Sequence, residues 1–212
     1  MKKKIAILGS TGSIGCSTLD VIRKNKNNFN IILLTANNNY KKLVHQAKEF
    51  KVKNVIIKNK LHYEKVKKLL KNSNTKIYTE EVSLLKIIKF KLDYTMSSIV
   101  GLAGLQPTID AIKVSKAVAI ANKETIICGW DILSRVVNKY NTKIIPVDSE
   151  HFSIMNLTTN VKDDDVDEII ITASGGPFLN LPLKKFKNVN PNQAVRHPNW
   201  KMGKKISVDS AT

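Results

Sequence analysis

The chain has 212 residues, 42% of them hydrophobic and 25% charged, a globular composition that excludes disorder along the whole length and allows one full domain with part of a second. Its formal charge of +18 comes from 32 lysines and only three arginines, beside 21 asparagines; this bias fits drift toward an AT-rich genome better than a surface that reads nucleic acid, so no specific nucleic-acid partner is expected. No uncharged apolar run approaches a membrane span, Ile5–Leu8 is too short for a signal-peptide core, and Cys16 and Cys128 lack CxxC or metal spacing, so the reading is a reduced cytoplasmic protein with no membrane partner.

Lys4–Leu8 reads as a buried strand, and Ser13–Lys24 as a helix with Ile14, Leu19, Val21 and Ile22 as its apolar positions. Strands are then expected at Ile31–Ala36, Asn54–Ile57, Lys76–Tyr78, Asp93–Val100, Ala117–Ala121 and Lys143–Val147. Helices are expected between them at Tyr40–Lys51, Leu61–Lys71, Val82–Lys89, Gln106–Ser115 and Glu124–Tyr140. This alternation predicts an α/β fold built on a doubly wound parallel sheet, and the uniformly apolar strands suit a sheet covered on both faces. After Val147 the pattern changes. His151–Leu157 reads as helical, Asp163–Asp165 as a solvated turn and Glu168–Ala173 as a strong strand; Gly175-Gly176-Pro177 and a long polar stretch follow. Lys205–Val208 reads as a strand with no terminal helix after it, as if the chain were interrupted. Two domains are expected, 1–147 and 148–212.

Gly9-Ser10-Thr11-Gly12-Ser13-Ile14-Gly15 follows the first strand and opens the first helix. In this spacing Gly9 permits a tight turn, Gly12 lets the backbone approach a pyrophosphate, and Gly15 lets helix and strand pack closely. The free N–H groups and positive dipole end of the helix face the phosphate. Dinucleotide binding by Gly9, Thr11, Gly12, Ser13, Ile14 and Gly15 is the expectation; a glycine turn closing an ordinary strand–helix unit is the alternative. The second strand ends in Ala36-Asn37-Asn38-Asn39-Tyr40-Lys41-Lys42, with no acid to hold a ribose 2′-hydroxyl. Asn37, Asn38 and Asn39 therefore favour NADPH over NADH, unless they only share the general Lys/Asn enrichment.

Asp148 and Glu150 follow the last strand of the first domain, on the usual ligand side of a parallel sheet. Two hard oxygen ligands two residues apart suit Mg²⁺ or Mn²⁺. A solvated acid pair capping the next helix is an equal alternative. Ser149 and His151 show no base oriented toward the serine, so a nucleophilic dyad is not expected.

Six strings occur in one order: Gly9–Gly15, Ala121–Glu124, Val147–His151, Ser174–Phe178, Arg196–Trp200 and Lys205–Thr212. Together they resemble the 1-deoxy-D-xylulose 5-phosphate reductoisomerase family from Lys4 to Thr212. The resemblance implies a bacterial cytoplasmic enzyme dependent on NADPH and on Mg²⁺ or Mn²⁺. The family rearranges 1-deoxy-D-xylulose 5-phosphate and reduces the product to 2-C-methyl-D-erythritol 4-phosphate, on a route to isoprenoids. It further implies a Rossmann-type NADPH-binding domain followed by the start of an α+β catalytic domain, and a homodimer for full-length members. By the same resemblance Asp148 and Glu150 hold the metal, and Lys123, Asp148, Glu150 and His197 form the catalytic group. Lys123, Ser149, Glu150, Ser174, His197 and Ser210 meet substrate, and Asn122, Glu124 and Gly203 lie on the cofactor side. Arg196–Gly203 resembles a closing loop whose Trp200 would cover the reacting centre.

Two departures matter. Asn38 stands where many relatives carry a basic or hydroxyl residue, which would move the 2′-phosphate contact toward Lys41 or Lys42. The family continues past Ser-Ala-Thr into substrate-binding Asn and Lys residues and a third acidic metal ligand, which these 212 residues do not contain. The expectations are thus an enzyme or part of one, or a truncated remnant that binds a dinucleotide.

Overall fold

The computed structural model describes the chain except for residues 80–81, 172–174, 200–202 and 210–212 and the side chains of 205, 206 and 209. Elements run in the order β1 (Lys3–Leu8), α1 (Ser13–Lys24), β2 (Phe29–Ala36), α2 (Tyr40–Glu49), β3 (Asn54–Ile57), α3 (Tyr63–Leu69), β4 (Lys76–Tyr78) and α4 (Leu84–Ile87). They continue with β5 (Tyr94–Ser97), α5 (Leu105–Val114), β6 (Ala117–Ile120), α6 (Lys123–Tyr140), β7 (Lys143–Pro146) and α7 (Ser149–Thr158). The seven strands form one parallel sheet in the order β4-β3-β2-β1-β5-β6-β7, which is the doubly wound arrangement expected. Contacts divide the chain into two units, Met1–Phe152 and Ser153–Thr212.

Strand side chains alternate between faces, so β1 feeds two cores at once. Ile5 and Ile7 join Leu19 and Ile22 of α1, Leu43, Val44 and Ala47 of α2, and Val66 of α3. Ala6 and Leu8 join Leu84 of α4, Ile109 and Ile112 of α5, and Leu133 of α6. A bulge between Ile5 and Ala6 pairs them with Ile31 and Leu33, so Ile32 is the extra residue. Ile32 and Leu33 consequently sit in the same core, although they are adjacent in sequence.

Helices α1 and α2 are also tied by charge. Arg23 Nε and Nη2 donate to the two carboxylate oxygens of Glu49, at 2.6 and 3.0 Å. That hydrogen-bonded pairing holds the Glu49 carboxyl below its ordinary range, against an opposing push from partial burial. A depressed folded-state value stabilises the fold above the unfolded value, near pH 4, and the gain disappears as pH falls through the folded value. Glu49→Gln should therefore lower the melting midpoint slightly at neutral pH, the loss being small because Arg23 is exposed. The gap from the parent chain should close in melts run below about pH 4.

Two expected helices are shorter than their patterns. Leu61–Lys71 divides into a 3-10 turn, Lys60–His62, capped by Asn59, and then α3. Val82–Lys89 contracts to α4, capped by Ser83 and ended by Ile88 in an extended conformation.

The second unit contains, among the described residues, 3-10 turns at Asp163–Asp165 and Leu183–Asn188 and short helices α8 (Pro191–Ala194) and α9 (Lys204–Asp209). The strand expected at Glu168–Ala173 does not form over 168–171, where Ile169, Ile170 and Ile171 are 56–71% exposed. A strand needs a neighbour to take its N–H and C=O groups, and the described residues of this unit supply none. Positions 172 and 173 lie outside the described residues. The expected strand Lys205–Val208 is replaced by α9, with Ser207 N donating to Gly203 O at 3.0 Å. The expectation of no terminal helix is corrected with it. Six residues are too few for periodicity to separate helix from strand.

Candidate functional site

The glycine turn lies at the carboxyl end of β1, where the strand order reverses between β2 and β5. Gly9 has φ +81, and a Cβ there would stand 2.8 Å from the Ser98 carbonyl oxygen. A Cβ on Gly15 would stand 2.4 Å from Gly9 O and 2.6 Å from Ser10 Cα. Gly12 differs: it is exposed, and its Cβ would meet only Gly9 O at 3.4 Å. Packing thus requires two of the glycines, and the third leaves an opening over the start of α1. No side chain caps α1 and no acid stands in its first turn. Its free amides and positive dipole end fit a pyrophosphate. Thr11 and Ile14 are half-buried, Ile14 against the first core, and Ser13 is exposed.

Below the turn is a polar network that the sequence reading missed. Gly9 N donates to Thr35 Oγ1 and Ser10 N to Thr35 O, both at 2.9 Å. Ser10 Oγ donates to Gln46 Oε1 at 2.8 Å, and Gln46 Nε2 to Ser10 O at 2.9 Å. The available signal was a glutamine on the apolar face of an amphipathic helix.

Asn37, Asn38 and Asn39 form an exposed loop between β2 and α2. Asn39 Oδ1 caps α2 by accepting from Lys42 N at 3.1 Å. Asn38 Oδ1 accepts from Asn59 Nδ2 at 2.8 Å, and Asn37 O from Asn59 N at 3.2 Å. Asn59 therefore fixes the loop from the next strand's end, a role its sequence position does not announce. Asn122 is 3% exposed. Its Oδ1 caps α6 by accepting from Thr125 N at 3.2 Å, while Nδ2 donates to Ile99 O and, at 2.7 Å, to Gly101 O. Its amide thus ties the loop after β5 to the end of β6. That loop meets the glycine turn through Ser98, whose Oγ donates to Leu8 O at 2.7 Å. Lys123 is exposed and Glu124 half-buried in the first turn of α6.

Asp148 and Glu150 stand just beyond β7. Asp148 Oδ1 accepts from His151 N at 3.0 Å and lies 2.5 Å from His151 Nδ1. Partial burial raises the Asp148 carboxyl, and the His151 hydrogen bonds outweigh it, leaving the carboxyl below its ordinary value. Ser149 Oγ donates to Glu150 Oε2 at 3.0 Å. Among the described residues, no group of three or more His, Cys, Asp or Glu could hold a metal ion. Carboxylate oxygens are the donor type that a hard cation takes, and two acids fall short of a complete cage.

The glycine turn, the Asn37–Asn39 loop, Asn122–Glu124 and Asp148–Glu150 all lie at carboxyl ends of strands in one sheet. His197 and Gly203 belong to the second unit. His197 Nδ1 accepts from Asn199 N at 3.2 Å, and the Gly203 carbonyl opens α9. Ser174, Trp200 and Ser210 lie outside the described residues.

A parallel sheet with a glycine turn at its reversal point places the first unit among doubly wound folds of the dinucleotide-binding class. The family model for 1-deoxy-D-xylulose 5-phosphate reductoisomerase matches residues 5–129, and the model for that enzyme's C-terminal domain matches residues 144–212. The chain belongs to the 1-deoxy-D-xylulose 5-phosphate reductoisomerase family. It is 54% identical over 212 residues to the Pelagibacter ubique reductoisomerase, covering 99% of this chain and 55% of that protein. It is 43% identical over 214 residues to the Phocaeicola vulgatus reductoisomerase, covering 100% of this chain and 55% of that one. The chain thus spans about half the length of the curated relatives it matches. It is similar to the solved Zymomonas mobilis reductoisomerase in complex with NADPH, with TM-score 0.87, 39% identity and coverage of 100% of this chain and 54% of that one. A reductoisomerase in complex with NADPH, fosmidomycin and magnesium matches with TM-score 0.87, 34% identity and coverage of 99% of this chain and 54% of that one. No described helix is long and apolar enough to cross a membrane.

Proposed function

We propose that the chain carries the cofactor half, and the opening part of the substrate half, of a reductoisomerase converting 1-deoxy-D-xylulose 5-phosphate to 2-C-methyl-D-erythritol 4-phosphate. The observation that carries the reading is the opening at Gly12, over uncapped amides at the switch point of the sheet. In this reading Gly9, Thr11, Gly12, Ser13, Ile14 and Gly15 cradle the pyrophosphate, and Asn37–Asn39 with Lys41 and Lys42 meet the 2′-phosphate. NADPH, when bound, supplies the hydride that reduces the rearranged aldehyde. Lys123, exposed at the start of α6, holds substrate oxygens and balances their negative charge. Asp148 and Glu150 offer oxygens to Mg²⁺ or Mn²⁺, while Ser149, Ser174, His197 and Ser210 meet the substrate. Asn122, Glu124 and Gly203 complete the cofactor side, Asn122 through the loop its amide holds. The functional division falls at 147/148. The full-length protein works as a homodimer in the bacterial cytoplasm.

Isothermal titration tests the cofactor reading. NADPH should bind about tenfold or more tightly than NADH, a difference of roughly 1.4 kcal/mol. Equal affinities would remove the 2′-phosphate assignment, and no binding of either would remove the turn's role. A second reading, a domain that binds dinucleotide without chemistry, draws on the incomplete metal set among the described residues. Turnover separates the two.

A further inference from the structure

Helix α2 turns one polar side chain into its buried face. Leu43, Val44 and Ala47 line that face, and Gln46 among them is 4% exposed. A buried amide is costly unless its donor and acceptor are both used, whereas an apolar side chain of similar shape packs there without that demand. Gln46 uses both on Ser10, with Nε2 also 3.9 Å from Cys16 Sγ. Its Oε1 accepts from Ser10 Oγ at 2.8 Å and its Nε2 donates to Ser10 O at 2.9 Å. Ser10 is 0% exposed and is the second residue of the glycine turn. Thr35, at the end of β2, takes the N–H groups of Gly9 and Ser10 at 2.9 Å each. Ser10 Oγ also donates to Thr35 O at 3.3 Å, so five hydrogen bonds fix two consecutive turn residues against β2 and α2.

The position of α2 gives this clamp its consequence. The helix starts at Tyr40, directly after Asn37–Asn39. The element that carries the ribose-phosphate loop at its start thus grips the pyrophosphate turn from its second turn, through Gln46. We propose that Gln46 is a positioning residue for the cofactor, setting the spacing between the pyrophosphate turn and the ribose-phosphate loop through Ser10. This inference rests on the NADPH reading above.

The experiment titrates NADPH into the 212-residue chain and into Gln46→Met, which keeps length and apolar bulk but removes both polar atoms. Affinity is measured well below each variant's unfolding midpoint, with native circular dichroism as the entry condition. The dissociation constant should rise about tenfold for Gln46→Met. Ser10→Ala, which removes the hydroxyl's contacts to Gln46 Oε1 and Thr35 O but keeps Gln46 Nε2 on Ser10 O, should raise it about threefold. A merely structural role would lower the melting midpoint and leave affinity of the folded protein within twofold, and that result overturns the inference alone. Parent chain that binds no NADPH overturns the cofactor reading and this inference with it. If Gln46→Met does not fold, the double variant Ser10→Ala with Gln46→Met removes the hydroxyl left with only its longer contact to Thr35 O and carries the same readout.

Discussion

Gly15→Ala should abolish measurable NADPH binding and destabilise the chain by about 2 kcal/mol. Two effects compete at this site. Alanine is a better helix former than glycine by about 1 kcal/mol, and Gly15 lies inside α1. At an open helical position that gain would prevail. Here the new Cβ would meet Gly9 O at 2.4 Å, Ser10 Cα at 2.6 Å and Ser10 C at 2.7 Å. All three are backbone atoms. They cannot step aside, because Ser10 is held by Gln46 and Thr35. Helix and turn must separate, which costs more than the propensity gain and disperses the uncapped amides at the start of α1. Gly12→Ala is the contrasting variant. Its Cβ meets only Gly9 O at 3.4 Å, so the melting midpoint should stay close to the parent's while NADPH affinity falls. Calorimetric melts and NADPH titration on both variants check the pair. Affinity within threefold of the parent for Gly15→Ala would show that the turn does not depend on this close packing.

The first unit was legible because its signals are local. Apolar runs of four to eight residues, separated by amphipathic helices, allow few arrangements other than a covered parallel sheet. The glycine spacing showed where its ligand edge lies. What stayed hidden depends on pairs distant in sequence. Ser10 and Gln46 are 36 residues apart, and Asn38 and Asn59 are 21 apart. Nothing in either neighbourhood reveals the partner. Asn122 shows the same limit: the family resemblance put it on the cofactor side, and nothing local announced that its buried amide spans 23 residues to hold the Ile99 carbonyl. The failure at Ile169–Ile171 has the same origin. Three consecutive isoleucines have strong local preference for strand, but a strand exists only where a second one accepts its hydrogen bonds. The acid pair stays open between its two readings, since Asp148 caps α7 through His151 N and also stands just past β7 at the carboxyl edge of the sheet.

Purified as these 212 residues, the chain should oxidise NADPH in the presence of 1-deoxy-D-xylulose 5-phosphate and Mn²⁺ at least about 10²–10³-fold more slowly than a full-length family member. In the proposed reading, the described sheet edge carries the cofactor half of the chemistry. The metal half is the deficit. Mg²⁺ and Mn²⁺ take about six oxygens in a near-octahedral set. Asp148 and Glu150 supply few of them, and among the described residues no group of three or more His, Cys, Asp or Glu could hold the ion. Asp148 must also trade its contact with His151 Nδ1, at 2.5 Å, for the ion. Mn²⁺ affinity should accordingly be weak, with a dissociation constant on the order of a millimolar. Exchanging both acids, Asp148→Ala with Glu150→Ala, should remove that residual binding without altering NADPH titration, because the glycine turn lies at β1 and the acids follow β7. Paramagnetic Mn²⁺ titration reads the first quantity and loss of NADPH absorbance reads the second. Mn²⁺ affinity that survives the double exchange would place the ion elsewhere. Turnover by the parent chain at a full-length rate would show that two carboxylates and the sheet edge suffice for a reaction whose transition-state charge they are otherwise too few to hold.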